Sequence, residues 1–309
     1  MNWPDELKSV CPHIELRYSE PLSKHVSMRV GGPAAVMAFP KSEEALAELL
    51  QFCRSRDISP LILGAGTNLL PPDAGLNTLA ISLYGGLSVL RLLPGHIVEA
   101  GSGVLLSKAA VFAQEHGLTG LEFAHGIPGT VGGGLFMNAG AYGGEMSQVA
   151  VETDVMNYDG QIVTLSGTEQ SFGYRASAFQ SMECVIVKSR FRLAPGDPVK
   201  ILTRMRELQQ KRRQSQPLNV PSSGSTFKRP AAGYAAALIE QAGLKGLRVG
   251  GASVSTKHAG FIVNDQNALC ADVLALIAEV QEKVYAHSGI RLEPEVRILT
   301  DSPGEKVTS

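Results

Sequence analysis

HGIPGTVGGGLFMNAGAYGGE, residues 125–145, holds eight glycines in the nineteen positions from Gly126 to Gly144. Neither helix nor strand propensity accounts for that density, because glycine weakens both. Glycine does allow backbone to approach a ligand closely, with N–H and C=O as the polar groups on offer. Such a surface suits a large cofactor carrying a pyrophosphate, since anions are held by backbone amides in turns and at helix starts. A flexible linker is the competing reading of a glycine-rich run, but linkers lack interleaved large apolar residues. Here Ile127, Val131, Leu135, Phe136, Met137 and Tyr142 punctuate the glycines. An ordered, close-packed loop is expected.

The chain around this loop is 309 residues long, 44% apolar and 18% charged. That is enough for two or three globular domains. No apolar run approaches the roughly eighteen residues of a membrane span, and the first residues, MNWPDELKSV, lack the apolar stretch of a signal peptide. A cytoplasmic protein without a membrane partner is the expectation. Cys11, Cys53, Cys184 and Cys270 form no C-x-x-C pair and the histidines do not cluster, so neither metal nor disulfide framework is expected. A net charge of −1 gives no general attraction to nucleic acid. Local charge differs: no acidic residue occurs from Leu208 to Ile239, while Lys211, Arg212, Arg213, Lys228 and Arg229 supply cations for an anionic small molecule. For residues 211–213 alone, a solvated helix end favoured by the helix dipole explains the charge equally well.

Along the chain, Ala35–Phe39 reads as a strand and Ser42 as the N-cap of a helix with Leu46, Leu49, Leu50 and Cys53 at helical spacing. Leu61–Leu63 follows as a strand and ends in Gly64-Ala-Gly-Thr-Asn68. A Rossmann fingerprint is excluded there, because Pro71 and Pro72 prevent a helix from opening normally after Gly64 and Gly66. No G-x-x-x-x-G-K-[ST] run occurs, which excludes a P-loop. Strands are expected at 88–93 and 96–100 and a helix at 107–116 closed by Gly117. Asp159-Gly160 should turn a hairpin between 151–158 and 161–165. Cys184–Leu193 is a further strand, and Ala194-Pro-Gly-Asp-Pro198 a boundary before a helix carrying Ile201, Leu202, Met205 and Leu208. The last third should hold helices near 234–242 and 273–284 and strands at 261–263 and 292–299. In that final strand Glu293, Glu295 and Arg297 would share one face by period two, with Pro294 suited to an edge.

Six segments then carry a resemblance: GAGTNLL at 64–70, GLEFAHGIPGTVGGGLFMNAGAYGGE at 120–145, FGYRASAF at 172–179, GSTFKRP at 224–230, LKGLRVGGASVSTKHAGFIVN at 244–264 and LEPEVR at 292–297. In this order they resemble the UDP-N-acetylenolpyruvoylglucosamine reductase family, over roughly residues 22–299. The resemblance implies an α+β protein: a vanillyl-alcohol-oxidase (PCMH-type) FAD-binding unit of two subdomains, expected at 1–87 and 88–196, and a C-terminal α+β substrate-binding domain at 197–309. It also implies the reaction, in which NADPH reduces non-covalent FAD and the flavin passes hydride to the enolpyruvyl group of UDP-N-acetylglucosamine enolpyruvate. The product is UDP-N-acetylmuramate, a peptidoglycan precursor.

By the same resemblance Ser225 is the proton donor, and Arg175 and Glu295 stabilise the carboxylate and enolic intermediate. Cofactor contacts carry over to Gly64, Ala65, Gly66, Thr67, Asn68, Gly126, Ile127, Pro128, Gly129, Thr130, Gly132, Gly133, Asn138 and Ala139. Substrate contacts are expected at Arg213, Lys228, Arg229, Lys245 and His258, the last equally readable as a structural imidazole. A monomer is expected. His125 stands where the family often has serine or another small residue. Only eight residues separate Arg175 from the strand at Cys184, too few for a tyrosine-bearing lid loop, so the chain resembles the subclass without one (type II). The alternative function on the same cofactor fold is an FAD-dependent oxidase of a small alcohol or sugar, against which Ser225 and Glu295 argue.

Overall fold

The structure, a computed structural model, describes residues 2–231 and 233–300. The chain forms two compact units. One comprises the residues up to Tyr18, Val36–Ala65 and Thr78–Arg212; the other comprises Ser19–Ala35, Gly66–Asn77 and the residues from Arg213 on. The three contiguous spans expected from sequence differ from this division, because residues 19–35 and 66–77 group with the C-terminal third.

In the first unit, α1 (Trp3–Val10) opens where the Asn2 side chain accepts from the Asp5 amide at 3.2 Å. Helix α2 (Glu43–Ser55) opens on Ser42, whose hydroxyl accepts from the Ala45 amide at 3.2 Å, and buries Leu46, Leu49, Leu50 and Cys53. It covers a sheet in the order Glu15–Pro21, Pro33–Phe39, Leu76–Ser82, Leu61–Leu63, the last two parallel. A second sheet runs Ile162–Ser166, Ala150–Asn157, Cys184–Arg192, Ile97–Gly101, Leu90–Leu93, all antiparallel. The Asp159-Gly160 hairpin forms as expected, with Gly160 in the left-handed region at φ 81°. Helices α3 (Leu106–Glu115), α4 (Val131–Phe136) and α5 (Pro198–Ser215, as far as Arg212) complete the unit. It holds two apolar cores: one joins α2 to the first sheet, and the other gathers α3, α4 and the second sheet around Phe191 and Leu135.

The second unit packs α6 (Ala235–Gln241) and α7 (Cys270–Ser288) with a sheet of Arg248–Val249, Ala252–Val254 and Ile262–Asn264. Its core also takes Met28, Val30 and Leu70. Both oxygens of Asp73 accept amides at the start of α7, from Cys270 at 2.8 Å and Ala271 at 3.0 Å, and the helix ends at Gly289 with φ 71°. The strand expected at 292–299 is corrected to a two-residue strand, Arg297–Ile298, parallel to Leu69–Leu70. Pro294 has no amide to continue a ladder, and the Glu295 amide after it pairs with Thr226 O instead.

Burial pushes the thiols of Cys11, Cys184 and Cys270 up to about 11 and that of Cys53 up to about 12. All four are free, and their burial disfavours the thiolate at neutral pH. Among the described residues no helix is long and apolar enough to cross a membrane.

Candidate active site

The glycine-rich segment of the first unit is ordered by hydrogen bonds to the turn before α3. The amides of Leu106, Val131 and Gly132 bond to Gly129 O, Val104 O and Ser102 O at 3.0, 2.8 and 3.0 Å. The segment is not loop throughout: VGGGLF coils into α4, with Thr130 Oγ1 accepting from the Gly133 amide at 3.4 Å. Glycine's poor helix propensity is overridden here by the packing of Val131 and Leu135 in the core. A Cβ on Gly132 would lie 2.8 Å from Ser102 Cβ, so that glycine is required by the protein's own packing. Gly64 closes on the same place, since a Cβ there would overlap Thr130 Oγ1. The two segments expected to hold the cofactor therefore meet at Thr130.

Gly133 differs from Gly132. It is exposed, and a Cβ there would come no nearer than 3.7 Å to any protein atom, again Thr130 Oγ1. Gly133→Val is expected to leave the melting temperature of the protein nearly unchanged, because valine is the better helix residue. It should weaken retention of FAD about tenfold or more by blocking close approach. Gly132→Val should instead lower thermal stability. Full flavin occupancy of Gly133→Val after gel filtration would refute the assignment.

The FGYRASAF segment is fastened onto the end of this glycine-rich segment. Buried Asn138 donates to Gly173 O at 2.9 Å and Glu145 Oε1 at 3.2 Å, and its Oδ1 accepts from the Ser147 amide at 2.9 Å. Ser177 Oγ donates to Phe136 O at 2.7 Å, and Gln180 Nε2 donates to both Phe136 O and Arg175 O. Asn138, Tyr142 and Arg175 all have left-handed backbones, at φ 40°, 54° and 55°. For side chains larger than glycine this costs of order 1–3 kcal/mol each. Such strain persists where the surroundings over-determine it, as the bonds to Arg175 O and Gly173 O do here. Arg175 is half-buried, its guanidinium 5.0 Å from the Tyr174 ring centre.

Two buried polar atoms on the flanks of the glycine-rich segment, Ser102 Oγ and His125 Nδ1, have no hydrogen-bond partner among the described residues. Burial holds the His125 imidazole below its ordinary range and so favours the neutral ring. A closely packed backbone with orphaned polar atoms and an arginine beside it fits the expected flavin nucleotide. In this unit the segment 126–134, Gly64, Ala65, Asn138 and Ala139 would hold that group.

In the second unit LEPEVR runs between two other motifs. On one side the Glu295 amide donates to Thr226 O at 2.8 Å and the Lys228 amide to Glu293 O at 2.8 Å, so GSTFKR pairs with it antiparallel around Phe227 and Pro294. On the other side Asn68 Nδ2 donates to Glu295 O at 3.1 Å and the Arg297 amide to Asn68 O at 3.0 Å. Thr226 also ties in HAGF, donating its amide to Gly260 O and accepting from Ile262. Ser225, exposed and preceded by Gly224 at φ 75°, thus sits next to the residue paired with half-buried Glu295. Gly66, Thr67 and Asn68 belong to this unit, whereas Gly64 and Ala65 belong to the other.

The expected substrate-binding residues are placed unevenly. Lys228 Nζ reaches Glu293 at 3.5 Å, Arg229 lies 4.2 Å over the Tyr234 ring, and Lys245 pairs with Glu240. His258 accepts the Gly260 amide on Nδ1 at 3.2 Å and stands edge-on to Phe261, as a structural imidazole would. Its burial, with Lys245 nearby, lowers its pKa. Arg213 is exposed, its carbonyl accepting Lys257 Nζ at 2.6 Å. The residues that sequence reasoning missed are Gln180, which bonds to Arg175 O, Ser177, which bonds to Phe136 O, Glu145 and Ser147, which bond to Asn138, and Ser102. None has a sequence signal beyond proximity to a motif.

Residues 33–166 match the family model for an FAD binding domain, and residues 216–299 match the C-terminal domain of UDP-N-acetylenolpyruvoylglucosamine reductase. UDP-N-acetylenolpyruvoylglucosamine reductase of Lactococcus lactis is 45% identical over 96% of this chain and 97% of its own length. The enzyme of the same name from Caldanaerobacter subterraneus is 44% identical over 98% of each chain. The crystal structure of the Thermus caldophilus reductase superposes with a TM-score of 0.80 at 34% identity, covering 93% of this chain and 99% of that one.

Proposed function

This chain belongs to the UDP-N-acetylenolpyruvoylglucosamine reductase family, and we propose that Arg175, Ser225 and Glu295 carry the chemistry which that membership brings. The protein is an NADPH-dependent flavin oxidoreductase that reduces the enolpyruvyl group of a UDP-sugar to give UDP-N-acetylmuramate for peptidoglycan. When bound, FAD supplies the relay for hydride between NADPH and substrate. What the chain must do is orient the enolpyruvyl ether, stabilise the charge that develops, and deliver one proton. Charge accumulates on the carboxyl-bearing carbon and its oxygens, where the planar, permanently charged Arg175 is suited to a bidentate contact. Ser225 Oγ gives its proton to that carbon. A hydroxyl can accept a second hydrogen bond while donating the first, so Glu295 acts as the group that sustains the proton path through it.

The pairing of the Glu295 amide with Thr226 O carries this reading, because it brings Ser225 and Glu295 together from two distant motifs. An oxidase of a small alcohol or sugar removes hydride from its substrate and has no use for a proton donor at this place. The deciding experiment is an anaerobic titration of the FAD-loaded protein. NADPH should bleach the flavin, and the enolpyruvyl sugar nucleotide should restore its colour where simple alcohols and sugars do not. Recolouring by an alcohol's ketone, or none by the sugar nucleotide, would sink the assignment.

Arg213, Lys228, Arg229, Lys245 and His258 are proposed to contact the anionic sugar nucleotide. Arg213→Ala or Lys228→Ala should raise its dissociation constant several-fold at low salt, with a smaller loss at high salt because these cations are partly exposed. Unchanged affinity at low salt in both variants would return them to the solvated surface. The protein is proposed to act in the cytoplasm as a monomer, without nucleic-acid or membrane partners.

A further inference from the structure

The geometry points to Arg212 as a further cofactor-binding residue, whose guanidinium holds an anionic oxygen of FAD lying along the segment 126–134. On α5 the positions 201, 205, 208 and 212 form one stripe at helical spacing. Ile201, Met205 and Leu208 on it are buried, the first two in the core that holds α3 and α4. Arg212 continues that stripe onto the glycine-rich segment: a Cβ on Gly126 would lie 3.4 Å from Arg212 Cδ and 3.8 Å from Nη1. The neighbouring Arg213 is exposed.

Arg212 is in an unfavourable state within the protein alone. Its Nε is buried without a hydrogen-bond partner, and it forms no ion pair among the described residues. The ionisable group acting on it is Tyr142, at the far end of the same glycine-rich segment. Burial lowers the arginine's pKa, yet a guanidinium does not lose its proton in a protein. Its place in the last turn of α5 gives partial relief from the helix dipole, but supplies no acceptor for Nε. A partly buried guanidinium whose Nε has lost water without gaining an acceptor is destabilising, and an anionic ligand resolves that deficit.

The flavin nucleotide is favoured over the sugar nucleotide as that ligand for two reasons. Arg212 lies in the compact unit that contains most of the FAD-binding match, and the side chain borders the space a Cβ on Gly126 would enter. The proposal rests on the reading of this unit as an FAD site. Oxygens at two places on FAD share the required chemistry, those of the diphosphate and that of the flavin's pyrimidine edge, which gains negative charge on reduction.

The test compares wild-type, Arg212→Met and Arg212→Lys proteins, each stripped of flavin and reloaded. Arg212→Met, with an apolar chain of similar reach, should melt no lower than wild type when flavin-free, while its dissociation constant for FAD rises about tenfold or more. Arg212→Lys should recover part of the affinity. Riboflavin, which lacks phosphates, separates the two places. If its affinity is the same in wild type and Arg212→Met, the diphosphate is the partner. If it falls too, with a more negative reduction potential for bound FAD, the pyrimidine edge is. A flavin-free Arg212→Met protein that melts well below wild type would make Arg212 a structural residue and overturn the proposal. So would unchanged FAD affinity, including the case in which only sugar-nucleotide affinity falls. Failure of wild type itself to bind FAD would overturn the cofactor reading and this proposal together.

Discussion

FAD-loaded Ser225→Ala protein is expected to be bleached by NADPH at close to the wild-type rate and to be recoloured by the enolpyruvyl substrate at least ~10²-fold more slowly, the usual lower range for loss of a positioned acid. The asymmetry follows from the order of events, since a proton is needed only once hydride has reached the substrate. Ser225 is exposed and follows Gly224 in a turn, so losing its hydroxyl removes no packing and leaves the backbone pairing of Thr226 with Glu295 intact. Glu295→Gln should reproduce the same split if its carboxylate sustains the proton path. Stopped-flow absorbance separates the two halves. Equal slowing of both, or an untouched second half, would make Ser225 an ordinary turn residue.

Arg175→Ala should slow the second half-reaction by about 10²–10³, the usual loss when one preorganised charge-stabilising donor is removed, with a rise in KM for the enolpyruvyl substrate. Arg175→Lys should recover only part of this, because an ammonium cannot make the planar two-pronged contact. A control comes from the residues that hold the arginine. Asn138→Ala removes bonds to Gly173 O and to the Ser147 amide, so it should lower thermal stability and mimic part of the Arg175→Ala effect by releasing the strained turn. If Arg175→Ala reoxidises at the wild-type rate, Arg175 serves only the local fold.

The elements that sequence located correctly are those whose evidence is local. Ser42 caps α2, Asp159-Gly160 turns its hairpin, and the Leu46, Leu49, Leu50, Cys53 stripe is buried, each decided within about ten residues by capping, turn conformation or periodicity. The glycine-rich segment was recognisable as ordered, but its α4 was not, because the burial of Val131 and Leu135 that supports the helix comes from residues outside it. The expected strand at 292–299 failed for a related reason. Alternation of side chains says which faces differ, while a strand also needs a partner for each amide, and Pro294 breaks that series.

The candidate site divides along the same line. Sequence by itself named the chemistry-bearing motifs and, through their resemblance to a family, the reaction. It also held an unused signal, the spacing 201, 205, 208, 212, that distinguishes Arg212 from the exposed Arg213. Only the tertiary structure decided that Asn68 bonds to Glu295, 227 residues away, that Glu295 pairs with Thr226 beside Ser225, and that Asn138 fastens the Arg175 turn. The physical reason is that backbone conformation and periodicity are set by neighbours in the chain, whereas the partner of a given N–H or carbonyl is settled by which distant segments pack side by side.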